Sequence, residues 1–244
     1  MGFASIGFLG FVSSIEPIIG LDRSQTFPLS AIKKYFLKNF ARGVLITLAI
    51  ASAFWVAGHY RFYGFFVASE SFSVVIVKFL IRGISVLAIV YSEEFLLRVC
   101  IFENLFKNIK LPAALILTSL AHVLIKQIQF DPSLAELITI FFMSLALTLY
   151  YHQKRSFIPG MAFASAILFT FHLILSLPIH GHDTGEFKLV FLRYLPNSTY
   201  SVFVESLSGG PGGPLGSLTL QILFGLMASM ALLQVLNSDK KRIG

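Results

Sequence analysis

Long apolar segments recur along this chain, and they constrain its fold more than any other feature. A helix needs about 20 apolar residues to cross a hydrocarbon core of roughly 30 Å. Six segments approach that length: 41–60, 80–102, 111–126, 134–151, 159–179 and 215–236. The sequence therefore predicts an all-α fold, a polytopic transmembrane helix bundle with six spans, or with seven or eight if N-terminal segments also cross.

The amino-acid composition agrees with an integral, multi-pass membrane protein. Of the 244 residues, 56% are hydrophobic and only 13% are charged, whereas soluble domains carry about 25% charged residues. The net charge is +7, but the basic residues fall in short runs and form no basic face with interleaved aromatic residues. This distribution argues against nucleic acid as a partner and leaves the lipid bilayer as the expected environment.

The apolar pattern divides the chain into two regions. Residues 1–40 are predicted to be an N-terminal membrane-interfacial or additional hydrophobic segment, and residues 41–244 a single transmembrane bundle. Between positions 29 and 40, apolar residues recur at helical spacing, which is typical of a helix lying in the membrane interface. A plain connecting helix explains this spacing equally well, so both interpretations stay open.

The positive charges predict an orientation with both termini in the cytoplasm. Most Lys and Arg residues then lie on the inner side, as the positive-inside rule requires. They are Arg23, Lys33, Lys34, Lys38, Arg42, Arg98, Lys107, Lys110, Lys154, Arg155, Lys240, Lys241 and Arg242. Lys126 falls at the outer end of the third span, and residues 180–214 form an outer loop that we interpret as a cap or lid. The plasma membrane is the expected location.

Three charged residues lie close together inside the second apolar segment. Glu93 and Glu94 are adjacent, and Arg98 follows Glu94 by four residues. Each charge in a lipid-crossing helix costs roughly 2.5 to 3.5 kcal/mol, so such residues usually have a functional role. The spacing places Glu94 and Arg98 on one helix face, which favours an ion pair. Glu93 points about 100° away and has no such neighbour, so it is the candidate general base.

Two histidines lie in other spans at a similar predicted depth. His122 is in the third span and His172 in the fifth, where Ser176 follows one helical turn later on the same face. Counted from the cytoplasmic ends of their spans, Glu93 and both histidines lie roughly 16 to 21 Å deep at about 1.5 Å per residue. A single buried histidine more often only joins helices, but together with the glutamates and Arg98 these residues indicate a functional site.

These motifs resemble those of a known family. The segment Ser92–Arg98, SEEFLLR, carries the EExxxR pattern of the CAAX protease and bacteriocin-processing (CPBP, or ABI) intramembrane endopeptidases, which include the type II CAAX prenyl endopeptidases. His122 matches the histidine that ends the family's second motif, and His172 matches the histidine of its third motif, HxxxN or HxxxD. The resemblance covers roughly residues 80–180, which we expect to be the catalytic core.

Two positions depart from the family pattern. Thr118 stands four residues before His122, where the family usually has Phe, and Ser176 replaces the Asn or Asp of the third motif. The hydroxyl of Ser176 is a shorter donor than an Asn amide. This second departure puts the oxyanion-binding role in doubt and also fits an inactive relative.

The resemblance implies hydrolysis of a peptide bond within the membrane, and the residues fit separate roles in that reaction. Glu93 would activate a water molecule as general base, with His122 holding and polarising the same water. The neighbouring ion pair would fix the helix and the local charge, and His172 with Ser176 would donate to the oxyanion. The expected partner is a membrane-associated protein or peptide substrate, with or without a prenyl group.

No cofactor is expected, because the sequence has no HExxH motif and the family includes proteases described as metal-independent glutamate enzymes. The alternative is a divalent metal such as Zn, for which Glu93, His122 and His172 are suitable ligand types.

Two other functional classes are compatible with buried acids and histidines. A proton- or cation-coupled transporter should also show pseudo-repeats and broken helices in both halves, and the sequence shows neither. A non-catalytic member of the same fold, acting in immunity or as a scaffold, is supported by Ser176.

Overall fold

The computed structural model of the protein describes residues 29–67, 71–178, 188–194, 206–209 and 213–243, and most of them are helical. In chain order, the elements are α1 (Leu29–Val56), β1 (Tyr60–Val67), α2 (Phe72–Glu94), the π-helical segment π1 (Phe95–Phe102), α3 (Glu103–Asn108), α4 (Leu111–Phe130), α5 (Leu134–Lys154), α6 (Ile158–Leu168), a second π-helical segment π2 (Phe169–Ile174), β2 (Lys188–Tyr194), a 3-10 turn (Pro214–Gly216) and α7 (Leu218–Ile243).

The predicted polytopic helix bundle is confirmed, with differences in span length. Within the described ranges, five helical stretches are long and apolar enough to cross a membrane: Tyr35–Val56, Phe72–Asn108, Leu111–Phe130, Leu134–Lys154 and Leu218–Leu236. The sixth predicted span, 159–179, is a shorter apolar helix, Ile158–Ile174. The chain is therefore an integral membrane protein, whose described part contains five long apolar helices and one short one.

Two predicted helix starts are too late in the sequence. Helix α1 begins at Leu29 and runs without a break past residue 41, where the first span was predicted to begin. Helix α2 begins at Phe72 instead of residue 80. The predicted segment 1–40 is described only from residue 29 onward, so the rest of it lies outside the described residues.

The short helix ends at a left-handed residue. Ser176 has φ +55°, and the amide of Leu177 donates to the carbonyl oxygen of Phe171 at 2.8 Å. Pro178 follows, and proline commonly follows a left-handed helix cap because it cannot continue the helix. The predicted placement of Ser176 one turn after His172 on the same helix face is therefore wrong.

A two-stranded antiparallel sheet is present that the sequence analysis did not predict. Strand β1 reads YRFYGFFV and pairs with β2, with Tyr60 opposite Tyr194. Aromatic residues favour strands, but the partner strand lies in the segment that we interpreted as an outer loop, so no local pattern revealed the pairing. The hydroxyl of Tyr60 also donates to the carbonyl oxygen of Ser208 at 2.9 Å, which ties residues 206–209 to the sheet.

Helix α1 approaches α6 closely at a glycine. A Cβ atom at Gly43 would lie 2.7 Å from the Cβ of Ala166 and 3.0 Å from the carbonyl oxygen of Phe163. Phe54 of α1 and Ile167 of α6 belong to the same buried apolar cluster. The absence of a side chain at Gly43 therefore permits the contact that holds α6 in place.

We expect Gly43→Ala to lower the free energy of unfolding by about 1–3 kcal/mol, because the added methyl group overpacks this contact. Gly225→Ala is the matched control, since its Cβ would meet only Phe142 Cδ1 at 4.0 Å. That variant should be unchanged or slightly more stable, because alanine favours helix by about 1 kcal/mol. Denaturant titration in detergent micelles measures both, and equal losses would contradict the packing argument.

Candidate active site

Two of the three helices that carry motif residues widen into π-helical segments. Segment π1 begins directly after Glu94 and contains Arg98, and π2 contains His172. Such segments are rare and are frequently found at functional sites. The regular helical geometry assumed from the sequence therefore changes at the first and third motifs, whereas His122 lies on the regular helix α4.

Glu94 and Arg98 form the ion pair predicted from their spacing. The Arg98 Nε and Nη2 atoms donate to the two carboxylate oxygens of Glu94 at 3.2 and 3.0 Å, and Arg98 is fully buried. Its Nη1 atom donates to Ser144 Oγ of α5 at 3.1 Å. On the other side, a Cβ at Gly160 would lie 3.3 Å from Glu94 Oε2, so a glycine allows α6 to pack against the carboxylate.

Glu93 is paired with a cation from a different helix. The Nζ atom of Lys126 in α4 donates to Glu93 Oε1 at 2.5 Å, and both side chains are buried. The third span was predicted to end at Lys126, but α4 continues to Phe130. Lys126 is therefore one turn inside the helix, and its side chain is buried against the carboxylate.

A small cavity of about 30 Å³ lies between the helices at these residues. Its lining residues are Val90, Glu93, Glu94, His122, Lys126, Thr139, Ile140, Met143, Ala164, Ile167, Leu168 and Leu215. A water molecule needs roughly 10–15 Å³ of such space and two to four polar partners. The cavity therefore has the size and the polar groups to hold one or two waters beside Glu93.

The predicted site residues meet only in part. Glu93, Glu94 and His122 line the cavity, and His122 is buried. His172, which is half-buried, and Ser176, which is buried, are not among the lining residues. Within the described ranges, no group of three or more His, Cys, Asp or Glu residues is arranged to hold a metal ion. The alternative ligand set Glu93, His122 and His172 is therefore not assembled.

Sequence reasoning missed polar residues at this site, among them Lys126 of α4 and Ser144 of α5. Lys126 follows His122 by four residues, which places both on one face of α4, and this spacing was available from the sequence. Ser144, which accepts a hydrogen bond from Arg98, carried no such signal, because serines occur commonly in membrane helices and its partner is 46 residues away.

Paired carboxylates, a histidine and a water-sized cavity inside a membrane bundle define a site suited to acid–base chemistry on water. Residues 75–170 match the family model described as type II CAAX prenyl endopeptidase Rce1-like. The resemblance drawn from the motifs is thereby confirmed over this segment, which is less than half of the chain and contains Glu93, Glu94, Arg98 and His122. The family consists of CAAX-type membrane proteases. Comparisons with curated proteins and with solved structures gave no significant match.

We expect Arg98→Met to lower the free energy of unfolding by about 3–5 kcal/mol, because it leaves Glu94 buried without a cation. Adding Glu94→Gln should recover part of that loss, since the double variant buries no unpaired charge. A double-mutant cycle of denaturant titrations measures the coupling. Additive losses would show that the two side chains do not stabilise each other.

Proposed function

We propose that this protein is an intramembrane endopeptidase that hydrolyses a peptide bond of a membrane-associated substrate through water activated by Glu93 and His122. The observation that carries the proposal is the cavity beside Glu93 and His122, which has room for water and lies within the bundle. The match of residues 75–170 to a protease family supports it independently.

The reaction follows from the groups around the cavity. Glu93 takes a proton as the water oxygen attacks the scissile carbonyl carbon, and His122 orients and polarises that water. The carbon–nitrogen bond then breaks, and the protonated Glu93 delivers the proton to the leaving amine. Glu94 takes no part in the proton transfer, because Arg98 holds both of its oxygens. This pair fixes the end of α2 at the site.

The oxyanion role proposed for His172 and Ser176 depends on movement of π2. Segment π2 continues α6, whose Ile167 and Leu168 line the cavity, so His172 lies about one turn beyond the lining. A cavity of about 30 Å³ is also too small for a peptide segment. Substrate entry therefore opens this region, and the proposed donors reach the carbonyl in the open form.

A metal-independent reaction is proposed, because the candidate ligands do not converge while the base and the water-holding histidine do. We propose a prenylated or otherwise membrane-associated polypeptide as substrate, the plasma membrane as location and cytoplasmic termini.

A non-catalytic role in immunity or as a scaffold is the second candidate. The observation that favours it is the position of Ser176, beyond the end of π2 and outside the cavity lining. A side chain in that position does not bind an oxyanion unless π2 moves.

We expect Glu93→Gln to abolish cleavage, because the amide cannot accept a proton from water. Peptide termini of membrane proteins are compared by mass spectrometry between cells carrying the intact chain and cells carrying the variant. Glu103→Gln is the matched control, since Glu103 follows on the same helical stretch and pairs with the exposed Arg155 at 3.2 Å. Termini that are identical in the intact and Glu93→Gln samples would exclude the proposed activity.

Ser176→Asn is expected to raise turnover of a peptide spanning an identified cleavage site, because Asn offers a longer donor and tolerates the left-handed backbone at this position. Ser176→Gly is the control, since it accepts the same backbone angle without any donor and should lower turnover. Equal turnover in the two variants would show that the side chain of residue 176 takes no part in the reaction. Absence of Glu93-dependent turnover in every form would favour the scaffold.

A further inference from the structure

Lys126 places a cation beside the proposed general base. Its side chain lines the cavity together with Glu93 and His122 and is almost completely buried. Among the described residues that line the cavity, Lys126 is the one Lys or Arg. Arg98 is engaged by Glu94 and Ser144 and is not in the lining.

Stability alone does not account for this lysine. Taking two charges out of water costs several kcal/mol per ion, and an apolar pair of similar volume is often equally stable or more stable. Helix propensity does not explain the lysine either, because Met and Lys have nearly equal helix propensities. The position of the ammonium group at the cavity, beside a carboxylate and a histidine, therefore calls for a chemical explanation.

The geometry points to Lys126 as a further catalytic residue, which donates a hydrogen bond from its ammonium group to the oxyanion that forms on the scissile carbonyl. This inference rests on the proposed endopeptidase activity. Water adds to the carbonyl carbon, its proton passes to Glu93, and the negative charge on the carbonyl oxygen is stabilised by Lys126. When the carbon–nitrogen bond breaks, the carbonyl reforms, and the proton passes from Glu93 to the leaving amine.

The lysine side chain can exchange Glu93 for the carbonyl oxygen of the substrate as its hydrogen-bond acceptor. In the structure its Nζ atom donates to Glu93 Oε1, so this carboxylate oxygen is occupied until the lysine binds another acceptor. An entering carbonyl oxygen offers a second acceptor, and the four-carbon stem is flexible enough to reach it, unlike the planar fork of an arginine. Transfer of the ammonium group to the substrate then frees Glu93 to accept the proton from water.

A nearby aromatic ring helps to keep the ammonium group in place during this transfer. The Nζ atom lies 5.3 Å from the ring centroid of Phe130, one helical turn after Lys126. A cation over an aromatic face is stabilised by about 0.5–2 kcal/mol, depending on its exposure to water. The ammonium group thus has a favourable contact that does not depend on Glu93.

Lys126→Met tests the inference, with Lys107→Met as the matched control because Lys107 is exposed on the same chain. The full-length variants are expressed in cells, and Glu93-dependent peptide termini are quantified per amount of folded protein. A quenched fluorescent peptide spanning an observed cleavage site then gives kcat and KM in detergent. We expect Lys126→Met to lower kcat by about 10²–10³-fold, as for removal of one oxyanion donor, with KM changed less than about threefold. Lys107→Met should match the intact chain.

Lys126→Arg covers the case in which Lys126→Met fails to fold, because it retains a cation beside Glu93. It should fold and lose kcat with little change in KM, since its fixed fork does not follow the substrate. Unchanged kcat per folded molecule in the Met variant would overturn the role of Lys126 and leave the endopeptidase proposal standing. If the Met variant does not fold, an unchanged kcat in the Arg variant would likewise overturn the role of Lys126. If the peptide termini do not depend on Glu93, both the role of Lys126 and the endopeptidase proposal are overturned.

Discussion

The pairing of two adjacent buried carboxylates with separate cations is the interaction on which this structure depends. Glu93 and Glu94 are 4% and 2% exposed, and an unpaired charge in such a place is strongly destabilising. Glu94 takes its cation from its own helix, whereas Glu93 takes Lys126 from α4. Since Arg98 also binds Ser144 of α5, the pairs fix three helices relative to one another. The contacts that allow the charges to be buried are thus the contacts that shape the cavity.

Close backbone contacts complete that arrangement on the side of α6. Gly160 lets α6 lie against the Glu94 carboxylate, and Gly43 lets α1 lie against α6 at Phe163 and Ala166. A larger side chain at either position would push α6 away from the cavity, to which it contributes Ala164 and Ile167. The position of the short helix is therefore set by two glycines instead of by membrane-spanning length, which it lacks.

Local features of the fold were predictable and distant ones were not. The apolar runs indicated each long helix within the described residues, and the four-residue spacing indicated the pair of Glu94 with Arg98. Both depend on neighbours along one helix. The pairing of Glu93 with Lys126 joins residues 33 positions apart, and the sheet joins more distant segments, so neither follows from helical periodicity. Ser176 was wrongly predicted to continue the helix for a different reason. The left-handed residue after π2 is a serine and not the glycine that usually signals such a cap in a sequence.

The size of the cavity determines how a substrate can enter. Separating α2 from α4 would break the pair of Glu93 with Lys126, at a cost of about 3–5 kcal/mol, and moving α6 would uncover Glu94. Among the described lining residues, Leu215 is the one that lies outside the long helices and the short α6, on the 3-10 turn that follows Gly213. Withdrawing this one leucine costs about 1.5–3 kcal/mol of apolar burial and disturbs neither ion pair. Displacing the 3-10 turn would therefore cost less than separating α2 from α4, and it would leave both ion pairs intact while π2 moves for the proposed oxyanion contact.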